Sequence, residues 1–162
     1  NILKNYNIHF RFIGEGVCRT QLEQLARPLN IKIDFYKSLP RNELVKHILE
    51  ASVCLVPLKN KKIFNTALPS KMFEYMACGR PVIVSVRGDA EKIINESKAG
   101  ISISPENPKL LSKAILEYFH NHEKIDQHGK NGFNYITKNL KKEVLISNLM
   151  RNIEGSFEKK NL

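Results

Sequence analysis

Pro69, Ser70, Lys71 and Glu74 open a helical stretch inside the segment NTALPSKMFEYMACGRPVIVS, which runs from Asn65 to Ser85. Pro69 at the first helical position sacrifices no hydrogen bond, because its missing N–H is among those a helix end leaves unpaired. The free N–H groups of Ser70 and Lys71 then point out of the helix end. Such an end, backed by the positive pole of the helix dipole, attracts an anion such as phosphate. Ser70 and Glu74 are four residues apart and share one helix face, with Cβ atoms about 6 Å apart. A diphosphate at the helix end and a ribose at the carboxylate would let one nucleotide span both. The same features, Pro and Ser at a start, Gly79 at a stop and an apolar strand after it, are also ordinary αβ punctuation.

The elements that must hold these residues are legible as an alternation. Short β-branched runs at 8–13, 31–36, 53–57, 81–86 and 101–104 predict strands. Helical patterns at 18–27, 41–50, 69–78, 90–98, 108–121, 123–139 and 142–153 lie between and after them. This is the mark of an α/β chain with a doubly wound parallel sheet, Rossmann-like, covered on both faces. Such sheets bind ligands outside the carboxyl ends of their strands, where Gly14, Gly16, the 58–68 loop and the 85–88 turn fall. Gly14-Glu15-Gly16 either admits a nucleotide close to the backbone or only allows a tight turn. The 58–68 loop carries Lys59, Lys61, Lys62 and Phe64 in place of compact turn chemistry, in the manner of a binding loop. Val144, Leu145, Leu149 and Ile153 give the last helix an apolar stripe, and residues 155–162 read as a frayed tail.

Composition narrows the classes. The 162 residues suit one domain with a sizeable core. Net charge is +10, of which residues 1–80 carry +7 and residues 81–162 carry +3. Between Lys59 and Arg80 five bases face the single acid Glu74, so positive charge gathers around the anion-binding helix end. A nucleic-acid partner is not expected, since there is no recognition-helix signature, no RNP-like aromatic string, no zinc spacing and no Trp. An anionic membrane surface is the better second use of the charge, at about 1 kcal/mol per base near such a surface. Cys18, Cys54 and Cys78 lack metal spacing and read as reduced, mostly buried thiols of a cytosolic protein. His120 and His122 are too close for one helical face, so no metal is expected. The longest apolar runs, 53–58 and 81–86, are far short of the roughly 20 residues that span a bilayer.

The segment resembles the donor-site motif of glycosyltransferase family 4, whose members have the two-domain GT-B architecture. Glu74, Ala77, Gly79, Pro81, Val82 and Ile83 match its second Glu, small-residue helix end and Gly-x-Pro-Val-Ile run. The preceding run VCLVPLKNKKIFNTALPSK, 53–71, is similar to the branch of bacterial aminosugar transferases of capsule and O-antigen synthesis. HFRFIGEG (9–16), 31–44, GDAEKIINESKAGISISP (88–105) and 128–149 resemble further elements of the family's carboxy-terminal domain. Two positions depart from it. Thr66 stands where the family has its first Glu, associated with donor-sugar hydroxyls, and Lys37, with Ser38 beside it, stands where many members have a Gly. Lys37 reads as a base-side or phosphate-side contact or as a solvated turn lysine.

The resemblance implies that residues 1–154 form the nucleotide-sugar-binding carboxy-terminal half of a GT-B enzyme, with the domain's first strand missing. It implies retaining transfer from a nucleoside diphosphate sugar, UDP favoured, without metal or cofactor. The acceptor would be a glycan or a lipid-linked sugar of cell-surface polysaccharide synthesis, met on the absent amino-terminal Rossmann domain. Expected donor-binding residues are Glu74, Ser70, Lys71, Pro69, Thr66, Gly14, Gly16, Lys37 and Ser38. The expected location is the cytoplasm, peripheral on the inner face of the membrane. Two other readings stay open: a non-catalytic nucleotide-sugar-binding module, suggested by Thr66, and a GT-B-fold sugar-nucleotide epimerase. The fragment alone is expected to be inactive.

Overall fold

A computed structural model describes residues 2–141, with Val144, Ile146 and Met150 as further helical positions. In chain order the elements are β1 (His9–Ile13), α1 (Arg19–Ala26), β2 (Lys32–Tyr36), α2 (Arg41–Glu50), β3 (Cys54–Pro57), a 3₁₀ turn (Lys62–Thr66), α3 (Ser70–Ala77), β4 (Val82–Ser85), α4 (Asp89–Ser97), β5 (Gly100–Ile103), α5 (Pro108–His120) and α6 (His122–Asn139). Each strand is followed by at least one helix, so all ladders are parallel, as the α/β reading requires.

The strands form two sheets rather than one. β1 pairs with β2 in the register His9↔Lys32, and β3-β4-β5 form a second sheet through Cys54↔Val82 and Val82↔Gly100. β4 holds the centre of the larger sheet, with Val82, Ile83, Val84 and Ser85 all buried. Alternate side chains of a strand leave by opposite faces. Val82, Val84 and Val86 accordingly join Met72 and Met76 of α3 and Ala90 and Ile94 of α4. Ile83 and Ile103 meet Ala114 and Tyr118 of α5 on the other face.

Helix ends are set by local chemistry. α3 stops in a Schellman motif: Gly79, at φ +66°, donates to Met76 O at 2.9 Å and Arg80 donates to Tyr75 O at 3.0 Å. Asn107 and Asn121 cap α5 and α6, their side chains accepting from Leu110 N and Lys124 N at 3.0 Å. α6 lies close against the end of α3, where a Cβ on Gly129 would sit 2.2 Å from Gly79 O.

Three expectations need correction, and a fourth falls mostly outside the described residues. Pro69 is the residue before the helix, extended at φ −63° and ψ 121°, and Ser70 takes the first helical position. The 58–68 loop contains a 3₁₀ turn. Cys18 is exposed, Cys54 buried and Cys78 intermediate, so the thiols do not share one environment. The expected helix at 142–153, apart from helical Val144, Ile146 and Met150, and the 155–162 tail lie outside the described residues.

His128 of α6 shares a 2.8 Å hydrogen bond through Nδ1 with the buried Tyr118 hydroxyl. Burial, then Lys124, holds its pKa below the ordinary 6.5. The unfolded chain therefore binds the proton first, so this group's contribution to stability is present above pH 6.5 and is lost as pH falls through the folded value. Thermal unfolding followed by circular dichroism between pH 7.5 and 5 should show a falling midpoint, with a shallower fall in His128→Gln. Parallel pH profiles for parent and variant would remove His128 from the account.

Candidate functional site

Gly14 and Gly16 lie in the turn after β1, and Lys37 and Ser38 follow β2. Thr66 ends the 3₁₀ turn after β3, Pro69 precedes α3, Ser70 begins it, and Lys71 and Glu74 lie in its first two turns. All therefore occupy the carboxyl-end loops or the helix that follows, in two groups. One group belongs to β1-β2 and the other to β3-α3, and a groove of about 670 Å³ lies between these elements.

The groove is bounded by residues 7–13 along β1, 52–55 and Pro57 along β3, Leu44, His47 and Ile48 of α2, Tyr75 of α3, and Ile115, Tyr118 and Phe119 of α5. Of the expected donor residues, Lys71 and Glu74 line it. Pro69, Ser70, Thr66, Gly14, Gly16, Lys37 and Ser38 do not. Lys71 and Glu74 are both exposed, and among the described residues neither takes part in a side-chain hydrogen bond or an ion pair. A carboxylate and an ammonium three residues apart on one helical face are thus available to a ligand. They are also what a solvated helix surface offers.

The β1 side of the groove is polar toward α2. His9 Nε2 lies 2.7 Å from Asp34 Oδ2, and that hydrogen bond holds the Asp34 carboxyl below its usual range. Arg11 donates to Glu50 at 2.6 Å and lowers its pKa in the same way. On the β3 side the Cys54 thiol is pushed up to about 12 by burial, then by Cys78. It remains protonated at neutral pH and is a poor nucleophile.

Two further residues shape the site, Arg19, which sequence reasoning passed over, and Gly88, which it placed only within the 85–88 turn. Arg19 donates to Gly14 O at 2.9 Å, Tyr36 O at 2.6 Å and Phe35 O at 3.2 Å, and pairs with Glu23 at 2.8 Å. It ties the glycine turn to the ends of β1 and β2, and its charge is engaged with the protein itself. Its position five residues after Gly14, at the start of α1, was the available signal. Gly88 is the second. At φ +83° it precedes α4, its N–H donates to Glu91 Oε2 at 3.3 Å, and a Cβ there would lie 2.0 Å from Asn65 O. The turn after β4 thereby seats the 3₁₀ turn that carries Thr66. The loop has a defined position against α4.

Comparison with known proteins agrees with this architecture. An α/β domain of parallel sheets covered by helices matches the domains of GT-B glycosyltransferases. The chain belongs to the family of glycosyl transferases group 1, matched over residues 1–135. A glycosyltransferase of Methanocaldococcus jannaschii is 26% identical over 137 residues, 84% of this chain and 38% of that protein. The sucrose-phosphate synthase of Thermosynechococcus elongatus superposes with a TM-score of 0.72 at 22% identity, over 90% of this chain and 38% of its own. Anabaena HepE, solved in complex with UDP, superposes with a TM-score of 0.70 at 13% identity, over 95% and 43%. The chain spans less than half the length of these relatives. No helix among the described residues is long and apolar enough to cross a membrane.

Gly88→Ala tests the seating of the loop. Positive φ and the contact with Asn65 are both incompatible with a side chain, and the expected cost exceeds about 1 kcal/mol, or about 2–4 °C in midpoint. Thermal unfolding should show that loss. An unchanged midpoint would mean that the 3₁₀ turn is not held by this approach.

Proposed function

We propose that this chain is the donor-binding domain of a retaining glycosyltransferase that uses a nucleoside diphosphate sugar, with UDP the favoured nucleotide. The observation that carries the reading is the pair Lys71 and Glu74, exposed and unengaged among the described residues, the first in the opening turn of α3, the second one turn behind it, and both beside the groove. Lys71 and the helix-end N–H groups, including that of Ser70, meet the diphosphate and stabilise charge on the leaving group, the type of preorganised term that dominates many enzymes. Glu74 accepts hydrogen bonds from ribose hydroxyls. Placing Ser70 rather than Pro69 at the first helical position leaves this role intact, because Ser70 and Lys71 still carry first-turn N–H groups.

Gly14, Gly16, Lys37 and Ser38 form the base-side rim, held by Arg19. Thr66 meets the donor sugar. The relative solved with UDP supports the nucleotide class. Val17 is fully exposed and Ile63 is 74% exposed, both in loops at the carboxyl ends of strands. They fit a surface turned toward an amino-terminal domain that brings the acceptor, a glycan or lipid-linked sugar of cell-surface polysaccharide synthesis. On that reading the chain alone binds nucleotide weakly and transfers no sugar. Transfer activity by the isolated chain would refute the need for a second domain.

Titration calorimetry separates the two carboxylate positions of the motif. Charge-assisted bonds are worth about 1.5–3 kcal/mol each. Glu74→Ala should therefore raise the dissociation constant for a free nucleoside diphosphate about tenfold or more, which corresponds to about 1.4 kcal/mol. Thr66→Ala should leave that constant nearly unchanged and alter only the preference among attached sugars. A folded Glu74→Ala that binds as well as the parent would return Glu74 to the solvated surface.

The +10 charge supports a place on the inner face of the membrane. Flotation with anionic liposomes should exceed that with neutral ones and should fall with salt, as exposed charges are screened beyond about 8 Å at physiological ionic strength. Equal flotation would remove the electrostatic part of the proposal.

A further inference from the structure

The segment 51–73 contains no acid, and its charges are Lys59, Lys61, Lys62 and Lys71. All four are exposed, and among the described residues none enters a side-chain hydrogen bond or an ion pair. Lys71 belongs to α3, and the other three belong to the loop between β3 and α3. That loop is built rather than slack. Leu58 N–H donates to Ser85 O at 3.1 Å, Lys61 N–H to Lys59 O at 2.9 Å, Phe64 N–H to Lys61 O at 2.9 Å and Ala67 N–H to Phe64 O at 3.2 Å. From outside the loop, Asn60 N–H donates to Glu106 Oε2 at 3.3 Å, and Gly88 seats Asn65. Glu106 makes its contact from a backbone at φ +55°, a left-handed conformation unfavourable to a side chain. The carboxylates of the elements beside the loop are engaged elsewhere: Asp89 pairs with Lys92, Glu91 with Arg87, and Glu106 meets the Asn60 N–H. Like charges on a fixed loop without a counter-charge repel one another, and an anion bound among them relieves that repulsion.

We propose that Lys59, Lys61 and Lys62 select a donor whose sugar carries a carboxylate, a nucleoside diphosphate uronic acid. The inference rests on the donor-site reading above and adds the class of sugar. Lys71 and the N–H groups at the amino end of α3 answer the diphosphate, so the loop lysines are surplus to a neutral sugar and complementary to an anionic one. Their place in the chain fits. The 3₁₀ turn begins at Lys62 and ends at Thr66, the residue placed at the donor sugar. At about 2 Å of rise per residue, the two backbones lie within about 8 Å along the turn. The flexible stem of a lysine covers much of that span and delivers a mobile point charge, which suits an exposed carboxylate.

The test is an NMR titration of the isotope-labelled 162-residue chain at low ionic strength. The ligands are UDP and two pairs of sugar nucleotides, UDP-glucose with UDP-glucuronic acid and UDP-galactose with UDP-galacturonic acid. The members of a pair differ only at carbon six, a hydroxymethyl against a carboxylate, so ring stereochemistry cancels within the pair. In at least one pair the uronate should bind about fivefold tighter or more, the reach of an exposed ion pair. The amides of 59–66 should shift further with the uronate than with its neutral partner. The advantage should shrink at physiological ionic strength. It should fall toward one in Lys59→Gln/Lys61→Gln/Lys62→Gln, whose fold is checked by circular dichroism. Equal affinity within both pairs in the parent chain overturns the inference, leaves the nucleotide site standing and needs no variant. A uronate advantage that survives in the folded triple variant also overturns it, by placing the carboxylate elsewhere. So does a folded triple variant that loses UDP itself to the same extent, which would assign the lysines to the diphosphate. Failure of UDP and all four sugar nucleotides to bind refutes the donor-site reading, and the inference with it.

Discussion

The larger sheet and the helices on its faces are referred to β4, a strand whose side chains are all buried: Val82, Ile83 and Val84 are at most 1% exposed and Ser85 8%. Fully burying one such aliphatic side chain stabilises the fold by about 1.5–3 kcal/mol, which makes the two-faced burial of four consecutive residues the anchor for the layers on both sides. The Schellman stop at Gly79 and the two residues after it join α3 directly to this strand. The position of Lys71 and Glu74 is thus inherited from a buried strand through a rigid corner. The close approach of Gly129 to Gly79 O ties α6 to the same corner.

Around that frame the cations divide into two sets. Arg19 has its guanidinium spent on backbone carbonyls and Glu23, and Arg87 is held by Glu91 and Ser104. Among the described residues Lys59, Lys61, Lys62 and Lys71 enter no ion pair. These two arginines organise turns and these four lysines leave their charge to the solvent or to whatever binds, whereas Lys92 and Lys124 pair with Asp89 and Glu117. Planar guanidinium groups suit the first task, since one can bridge several carbonyls from a fixed position. Flexible ammonium groups suit the second.

Most element positions were legible in the sequence because they depend on local rules. The runs HFRFI, KIDFY and VIVS gave strands to within two residues, and the Gly79-Arg80-Pro81 stop placed the end of α3. Pro69 was misplaced by one position, since proline's fixed φ suits both a first helical residue and the extended residue before it. The five-residue 3₁₀ turn is too short to show a period. The division into two sheets was hidden for a different reason: the run at β1 has the same composition whether one neighbour or two flank it, and pairing is a property of distant segments. The work of Arg19 and Gly88 was equally non-local. Ser70 and Glu74 were paired because i and i+4 spacing on a helix is a local rule, and Lys71 entered through the helix-end N–H groups, whereas the groove that Lys71 and Glu74 line was not legible.

The uneven surroundings of the three thiols make the protein selective toward alkylating reagents. Cys54 is buried with its thiol pushed up to about 12, and burial raises the Cys78 thiol as well. Cys18 stands exposed just before α1, beside the glycine turn at the carboxyl end of β1. A maleimide dye would therefore attach first at Cys18, and the native sequence carries a fluorescent reporter position at the rim of its own candidate site.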